Sequence, residues 1–359
     1  MDRAAAAVFA LQDAVDAASP GDTVWIEPGE YARTITVHKA ITLRPLGGPG
    51  SVRLGSLDAS LATLEDIFFD GALSGWTGTL ATAGSSATFA GCRFTGKLRG
   101  VEVASGAEEV LLRDCVFDGL FQAVTLAPGI GSLRLERVEV SGVSLGVTAS
   151  DSLACAPGGA RVPADRCSRG DCPEVQVIDS RFTGGEVQVD LPGPVLFSAE
   201  GSIFEGAKTT ISARGARLNL DGCTIAGVSQ TGTALRLRSV SGRLSRCAIQ
   251  LWDTGLEIGD GGCPDYSDLL VGGSLALAND ISNTRTCLRL LQPEPILAEA
   301  NFWGSTQCQA VLAAIQGQTV ETITDAQHAA LTFCSTAAER STWGGIKSRY
   351  APTAGGSRP

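Results

Sequence analysis

Apolar and polar residues alternate in short runs along most of the chain, which is the period-two pattern of half-buried β-strands. The segments 112–117 (LRDCVF) and 133–138 (LRLERV) are typical. Glycine closes most of these runs, a second short run follows, and no helical spacing separates the two. The pattern therefore predicts short strands joined by tight glycine-containing turns.

One six-residue motif, GCRFTG at 91–96, recurs along the chain. Variants of it stand at 66–71, 114–119, 137–142, 179–184, 201–206, 222–227, 246–251, 278–283 and 299–304. Most copies are 21 to 25 residues apart, and two steps, of 42 and 32 residues, are longer. A fixed period in the low twenties is typical of a solenoid. Short strands with no helix between them predict a parallel β-helix, whereas a leucine-rich repeat would require an L-x-x-L-x-L frame that is absent.

The repeat spans most of the 359 residues and predicts one elongated domain. The predicted segments are an N-terminal cap at 1–40, a β-helix at 41–305 with insertions near 150–173 and 259–270, a C-terminal cap at 306–334 and a flexible tail at 335–359. The two insertions account for the two long steps of the repeat.

Both caps contain predicted helices. Residues 4–18 place their apolar side chains on one stripe, and a helix laid over the first coil would cover its exposed strand edge. Short amphipathic helices are predicted over 307–316 and 324–333, where Cys308 and Cys334 could tie the C-terminal cap down.

The net charge of −10 and the pI of about 4.8 weigh against nucleic acid or an anionic membrane as a partner. No apolar run is long enough to span a bilayer. The opening residues lack the basic and apolar regions of a signal peptide, so we expect the chain to start after a removed export signal.

The cysteines fall into two groups. Four share one inward register of the repeat and are expected to be buried and free: Cys92, Cys115, Cys223 and Cys247. Four others lie in the insertions, where disulfides are expected: Cys155, Cys167, Cys172 and Cys263. Zinc is the alternative, but the spacing is poor for a zinc site and no histidine is nearby. Disulfides would indicate a secreted, cell-surface or periplasmic protein.

Two motifs resemble a known superfamily. The run at 11–45 resembles the opening of pectin-lyase-like right-handed β-helix proteins, which include many named for carbohydrate binding and sugar hydrolysis. The segment NFWGS at 301–305 resembles the N-W-W-G-S segment that often closes such coils. The resemblance implies an all-β fold: a single-stranded right-handed parallel β-helix of about ten coils, with an N-terminal capping helix and a short C-terminal helical cap.

The resemblance also implies where chemistry would lie. In polygalacturonases, which share this fold, catalytic aspartates occupy the corner before the second strand of the repeat. The matching corner positions here are Arg99, Gln122, Leu145, Glu186, Lys208, Thr233, Asp253 and Arg285. Two pairs of opposite charge lie on neighbouring coils, and the candidate catalytic residues are therefore Glu186, Lys208, Asp253 and Arg285.

The outward positions of the same strand supply candidate substrate-binding residues, because equivalent positions of successive coils lie ~4.8 Å apart. These candidates are Asp190, Arg236, Glu257 and Arg289, together with Trp252, which could offer a face to a sugar ring. The arginines would favour an acidic sugar.

Two kinds of catalysis fit this residue set. Paired carboxylates can act as acid and base in glycoside hydrolysis, and a Lys or Arg base with carboxylate-bound Ca²⁺ suits β-elimination of a uronic acid. No other cofactor or site metal is expected. The N-T-D, D-D, G-H-G and R-x-K motifs of polygalacturonases are absent, and His38 and His328 lie in the caps. The alternation Arg236–Glu257–Arg289 also fits a solvent-exposed charge ladder.

The sequence therefore predicts an exported or cell-surface β-helix scaffold that presents a long face to glycans or to another protein. The alternative is a polysaccharide lyase or glycoside hydrolase that acts on an acidic polysaccharide. A copper-delivery relative of this fold ranks last, since one methionine and two histidines supply too few ligands. The expected partner is a polysaccharide or a surface protein, and no oligomeric state is predicted.

Overall fold

The protein was analysed as a computed structural model, which describes residues 3–73, 79–96, 98–149, 172–259, 267–291, 296, 298, 301–305 and 308–316. The described part is a parallel β-solenoid. Within it, no helix is both long enough and apolar enough to cross a membrane.

Three parallel sheets surround one core, and most turns of the chain contribute one strand to each. Sheet 1 has eleven strands paired in chain order, which corresponds to about eleven turns against the ten expected. Its strands are Thr23–Ile26, Thr42–Pro45, Thr63–Glu65, Ser86–Ala90, Glu109–Arg113, Ser132–Glu136, Glu174–Ile178, Leu196–Glu200, Arg217–Asp221, Ser241–Ser245 and Asp268–Val271. Sheet 2 consists of three-residue strands: Phe68–Asp70, Arg93–Thr95, Val116–Asp118, Glu139–Ser141, Arg181–Thr183, Ile203–Glu205, Thr224–Ala226 and Ala248–Gln250.

Sheet 3 follows sheet 2 in each coil and carries the candidate site residues. Its strands are Gly29–Val37, Val52–Ala59, Thr79–Ala83, Arg99–Val103, Gln122–Leu126, Leu145–Ala149, Val187–Leu191, Thr209–Arg214, Thr233–Arg238, Thr254–Ile258, Thr286–Leu290 and Ile315–Gln316. Val52–Ala59 pairs with strands of both sheet 2 and sheet 3, and so joins the two sheets in the first coils.

A helix closes the N-terminal end as predicted. It spans Arg3–Ala17, and its Leu11 and Val15 are buried against the first coils. The side-chain amide of Gln12 pairs with the backbone N–H and C=O of Thr36, in the manner of a neighbouring strand. Lys39 Nζ donates to three carbonyls at the end of the helix, including Val15 O at 3.2 Å. The helix therefore satisfies the open strand edge that the first coil would otherwise expose.

The core contains stacks of like side chains, because the repeat places the same position of each coil above the last. Phe94 stacks between Phe69 and Phe117 with ring centroids 4.6 Å apart on each side. Further along, Phe182 stacks on Phe204 at 5.1 Å. All five rings are fully buried.

A second stack lies at the turn from sheet 1 to sheet 2. Its buried members are Ile67, Cys92, Cys115, Val138, Ser180, Ser202, Cys223, Cys247, Asn279 and Asn301. Cys115 Sγ and Ser180 Oγ each donate to the carbonyl two residues earlier, at 3.3 and 2.8 Å, so thiol and hydroxyl play the same part. The stack ends where Asn279 Nδ2 donates to Asn301 Oδ1 at 2.9 Å. The last copy of the motif is thus aligned on Asn301, one residue later than the sequence pattern indicated.

The cysteine prediction is confirmed for the stacked group, whose members Cys92, Cys115, Cys223 and Cys247 are free and buried. Cys172 is disulfide-bonded, and its partner lies outside the described side chains. The other predicted insertion cysteines (Cys155, Cys167 and Cys263), Cys334, His328, the helix over 324–333 and the tail lie outside the described residues. The other C-terminal helix spans Cys308–Ala313, inside the range predicted for it.

Candidate functional site

The strand register of sheet 3 aligns one outward position of every coil. This column contains Thr36, Asp58, Thr82, Glu102, Thr125, Thr148, Asp190, Ser212, Arg236, Glu257, Arg289 and Gln316. Asp190, Arg236, Glu257 and Arg289, the predicted substrate-binding residues, all belong to it. We call it the sheet 3 column. Its first half is mostly neutral, and its charges of both signs are concentrated in the later coils.

Glu257 lies between two arginines of the sheet 3 column. Its Oε1 is 3.2 Å from Arg236 Nε, and its Oε2 is 3.1 Å from Arg289 Nη1. The carboxylate side chain is 14% exposed, while Arg236 and Arg289 are 41% and 32% exposed. Arg289 Nε also lies 3.3 Å from Gln316 Oε1 on the next coil. One carboxylate therefore serves two guanidinium groups, and the three residues together carry a net positive charge.

Asp190 lies two coils before Arg236 in the same column and is half-buried. Burial raises the pKa of its carboxyl above the usual range, and a hydrogen bond with Ser212 offsets part of that rise.

The corner before sheet 3 brings the four catalytic candidates into one line. The backbone N–H groups of Thr209, Thr233, Thr254 and Thr286 bond, respectively, to the carbonyls of Glu186, Lys208, Gly232 and Asp253. The corner residues are therefore Glu186, Lys208, Gly232, Asp253 and Arg285. Four other residues expected at the corner instead begin their strands: Arg99, Gln122, Leu145 and Thr233.

The catalytic candidates form two separate ion pairs. Lys208 Nζ is 2.6 Å from Glu186 Oε1, and Arg285 Nη1 is 2.9 Å from Asp253 Oδ1. Lys208 and Arg285 are 74% and 70% exposed, so water screens both pairs. Gly232 occupies the coil between the pairs, which puts Lys208 and Asp253 about 10 Å apart along the corner. The catalytic roles of these four residues stay predictions.

Comparison with known proteins supports the architecture. No family model and no curated protein matches the chain. A solved structure described as a mannuronic acid specific polysaccharide family 6 lyase from the human gut microbiota aligns with a TM-score of 0.51 and 14% identity, over 87% of this chain and 83% of that one. The chain has a right-handed parallel β-helix fold. At this level of identity the likeness concerns the fold alone.

The sugar-stacking role predicted for Trp252 in this β-helix is wrong. The indole is fully buried, and its Nε1 donates to Ile225 O at 3.1 Å. Gly227 lies directly above it, since a Cβ on Gly227 would come within 2.9 Å of the indole ring. The ring fills the core at the corner, where burying its large apolar surface stabilises the fold.

The β-helix instead exposes two aliphatic side chains at this corner, Val228 at 57% and Leu251 at 45%. The sequence carries a signal for Leu251. The motif copy at 246–251 ends in leucine, where most copies end in glycine.

The Ca²⁺ expected for a lyase finds no cluster of ligands in the described part of the β-helix. No group of three or more His, Cys, Asp or Glu side chains there could hold a metal ion.

Proposed function

We propose that this β-helix binds an acidic polysaccharide along the sheet 3 column and the adjoining corner, outside the cytoplasm, as a module without turnover. The observation that carries the proposal is the Arg236–Glu257–Arg289 ladder. Its two guanidinium groups share one carboxylate, so a carboxylate of the ligand would neutralise the remaining charge. Guanidinium groups bind carboxylates with two parallel hydrogen bonds when the geometry permits.

The spacing of the ladder suits a polymer rather than a small molecule. Arg236 and Arg289 lie two coils apart, about 10 Å, on a flat and half-exposed face. A chain of uronic acids presents carboxylates at regular intervals and could engage both arginines. The solved lyase with this fold is described as specific for mannuronic acid, which is such an acidic sugar.

A binding role fits the corner better than catalysis does. Glu186, Lys208, Asp253 and Arg285 are each neutralised by a partner on the next coil in a solvent-exposed setting. Such pairs are typical of cross-strand ladders. Location outside the cytoplasm is supported by the disulfide at Cys172, since disulfides persist mainly in oxidising compartments.

The test is titration of the purified protein with polymannuronate and polygalacturonate, with neutral dextran as the reference polymer. We expect binding to the acidic polymers that weakens with added salt. The variant R236Q/R289Q should abolish this binding. The matched control R93Q/R181Q removes two exposed arginines from sheet 2, each of which is paired with a carboxylate on the next coil, and should bind as wild type does.

Three results would contradict the proposal. Absence of binding to every acidic polymer would favour a scaffold for another protein. Equal losses in both double variants would indicate an effect of net charge alone. Unsaturated sugar ends released from the polymers, with or without Ca²⁺, would show that the protein is a lyase, and reducing ends without unsaturation would indicate a hydrolase.

A further inference from the structure

At the turn from sheet 2 to sheet 3, four successive coils contain a glycine in the left-handed conformation. These residues are Gly119, Gly142, Gly184 and Gly206, with φ between +61° and +75°. Two later coils depart from this choice, with Leu251 at φ +64° and Asn283 at φ +54°. Asparagine tolerates this conformation, but a branched aliphatic side chain does not favour it. Leucine at this position therefore lowers stability relative to the glycine that earlier coils use.

Leu251 does not recover this cost by packing into the core, because its side chain is 45% exposed. Val228, from the preceding coil, is also exposed, and its Cγ2 would lie 3.5 Å from a Cβ on Gly206. Val228 begins a short loop that Thr231 Oγ1 closes with a bond to Val228 O at 2.9 Å. Gln230 N then donates to Leu251 O at 3.1 Å and fixes the loop to the next coil. The side chains of Val228 and Leu251 are thus exposed to solvent on backbone segments that are fixed by hydrogen bonds.

The two apolar side chains adjoin the charged corner. Leu251 precedes the buried Trp252 and then Asp253, and the Val228 loop ends at Gly232. A Cβ on Gly232 would lie 2.1 Å from Lys208 O, so the loop rests directly on the coil of Lys208. The backbone that carries both apolar side chains is therefore fixed to the coils of the charged corner.

We propose that Leu251 and Val228 contact the C–H faces of the sugar rings of the polysaccharide whose carboxylates meet the arginines. This inference rests on the proposed function and assigns the apolar half of the same site. A uronic-acid ring has an apolar face and a charged edge, which matches an aliphatic pair beside cations. A left-handed, exposed leucine does not by itself mark the site, because Leu61 has φ +62° and 48% exposure in the turn from sheet 3 to sheet 1.

Leu61 supplies the matched control. L251G should bind polymannuronate or polygalacturonate about tenfold more weakly, as expected for the loss of an aliphatic contact. Its midpoint of thermal unfolding should equal or exceed that of wild type, because glycine accepts the left-handed backbone. L61G makes the same chemical change away from the site and should keep wild-type affinity. V228S should weaken binding in the same direction, and N283G should not.

The outcomes separate this inference from the proposed function. If R236Q/R289Q abolishes binding while L251G and V228S bind as wild type does, the apolar contact is refuted and the proposed function stands. If wild type binds no acidic polymer, both fail together. Should L251G unfold, L251N keeps a side chain that tolerates the left-handed backbone and must show the same loss of affinity.

Discussion

Neutralising Glu257 should produce an unusual combination: lower stability and tighter binding of the ligand. In E257Q the amide keeps the shape of the side chain but removes the charge that two arginines share. Loss of folding would weaken binding, so an increase in affinity cannot be an artefact of instability. The variant therefore tests whether the ladder is only structural or also receives an acidic ligand.

The size of the stability change follows from the geometry. Glu257 makes two ion pairs, at 3.2 and 3.1 Å, and exposed pairs are worth about 0–1 kcal/mol each. Because Glu257 is only 14% exposed, values near the upper end are expected, and E257Q should lose about 1–2 kcal/mol. Repulsion between Arg236 and Arg289, two coils apart, adds only about 0.4 kcal/mol in water and less in salt.

The assay combines urea denaturation with titration of polymannuronate and polygalacturonate at low salt. With both guanidinium groups available, affinity should rise by about three- to tenfold, equivalent to ~0.6–1.4 kcal/mol. E205Q is the control, since Glu205 lies on sheet 2, outside the sheet 3 column, and its Oε2 is 2.6 Å from Arg181 Nη2. It removes the same charge and should leave affinity unchanged. Unchanged stability, or weaker binding in E257Q, would refute the reasoning.

Two further predictions concern the core and the pH dependence. F94A should lower the free energy of unfolding by about 3–5 kcal/mol, because the ring is fully buried between Phe69 and Phe117. The exposed Phe121 serves as the control, and a loss of stability in F121A as large as that in F94A would contradict this prediction. D190N should raise the unfolding midpoint at pH 7 but not at pH 3. The pKa of Asp190 is higher in the folded state than in the unfolded chain, where it is about 4. Wild type therefore loses stability as the pH rises from about 4 through the folded-state pKa. Equal unfolding midpoints of D190N and wild type at pH 7 would refute the raised pKa.

The sequence alone was enough to predict the solenoid and its columns. Strand residues alternate between core and surface, and the repeat keeps equivalent positions in line, so the motif at 91–96 predicted that Cys92 and its counterparts point inward, and they are buried. The same reasoning placed Arg236, Glu257 and Arg289 in one outward column, and the strand register agrees. These features depend only on the period of the strand and the length of the repeat.

The tertiary structure decided what happens at the corners. Along a strand, side chains point alternately inward and outward. This alternation stops at a left-handed residue, because that conformation turns the chain and changes which neighbour points inward. Trp252 is therefore buried, although it was predicted to face a sugar, and Leu251 is exposed. The sequence pattern also did not predict that Asp190 is half-buried. Burial depends on what surrounds a side chain in three dimensions, whereas a column position depends only on the repeat.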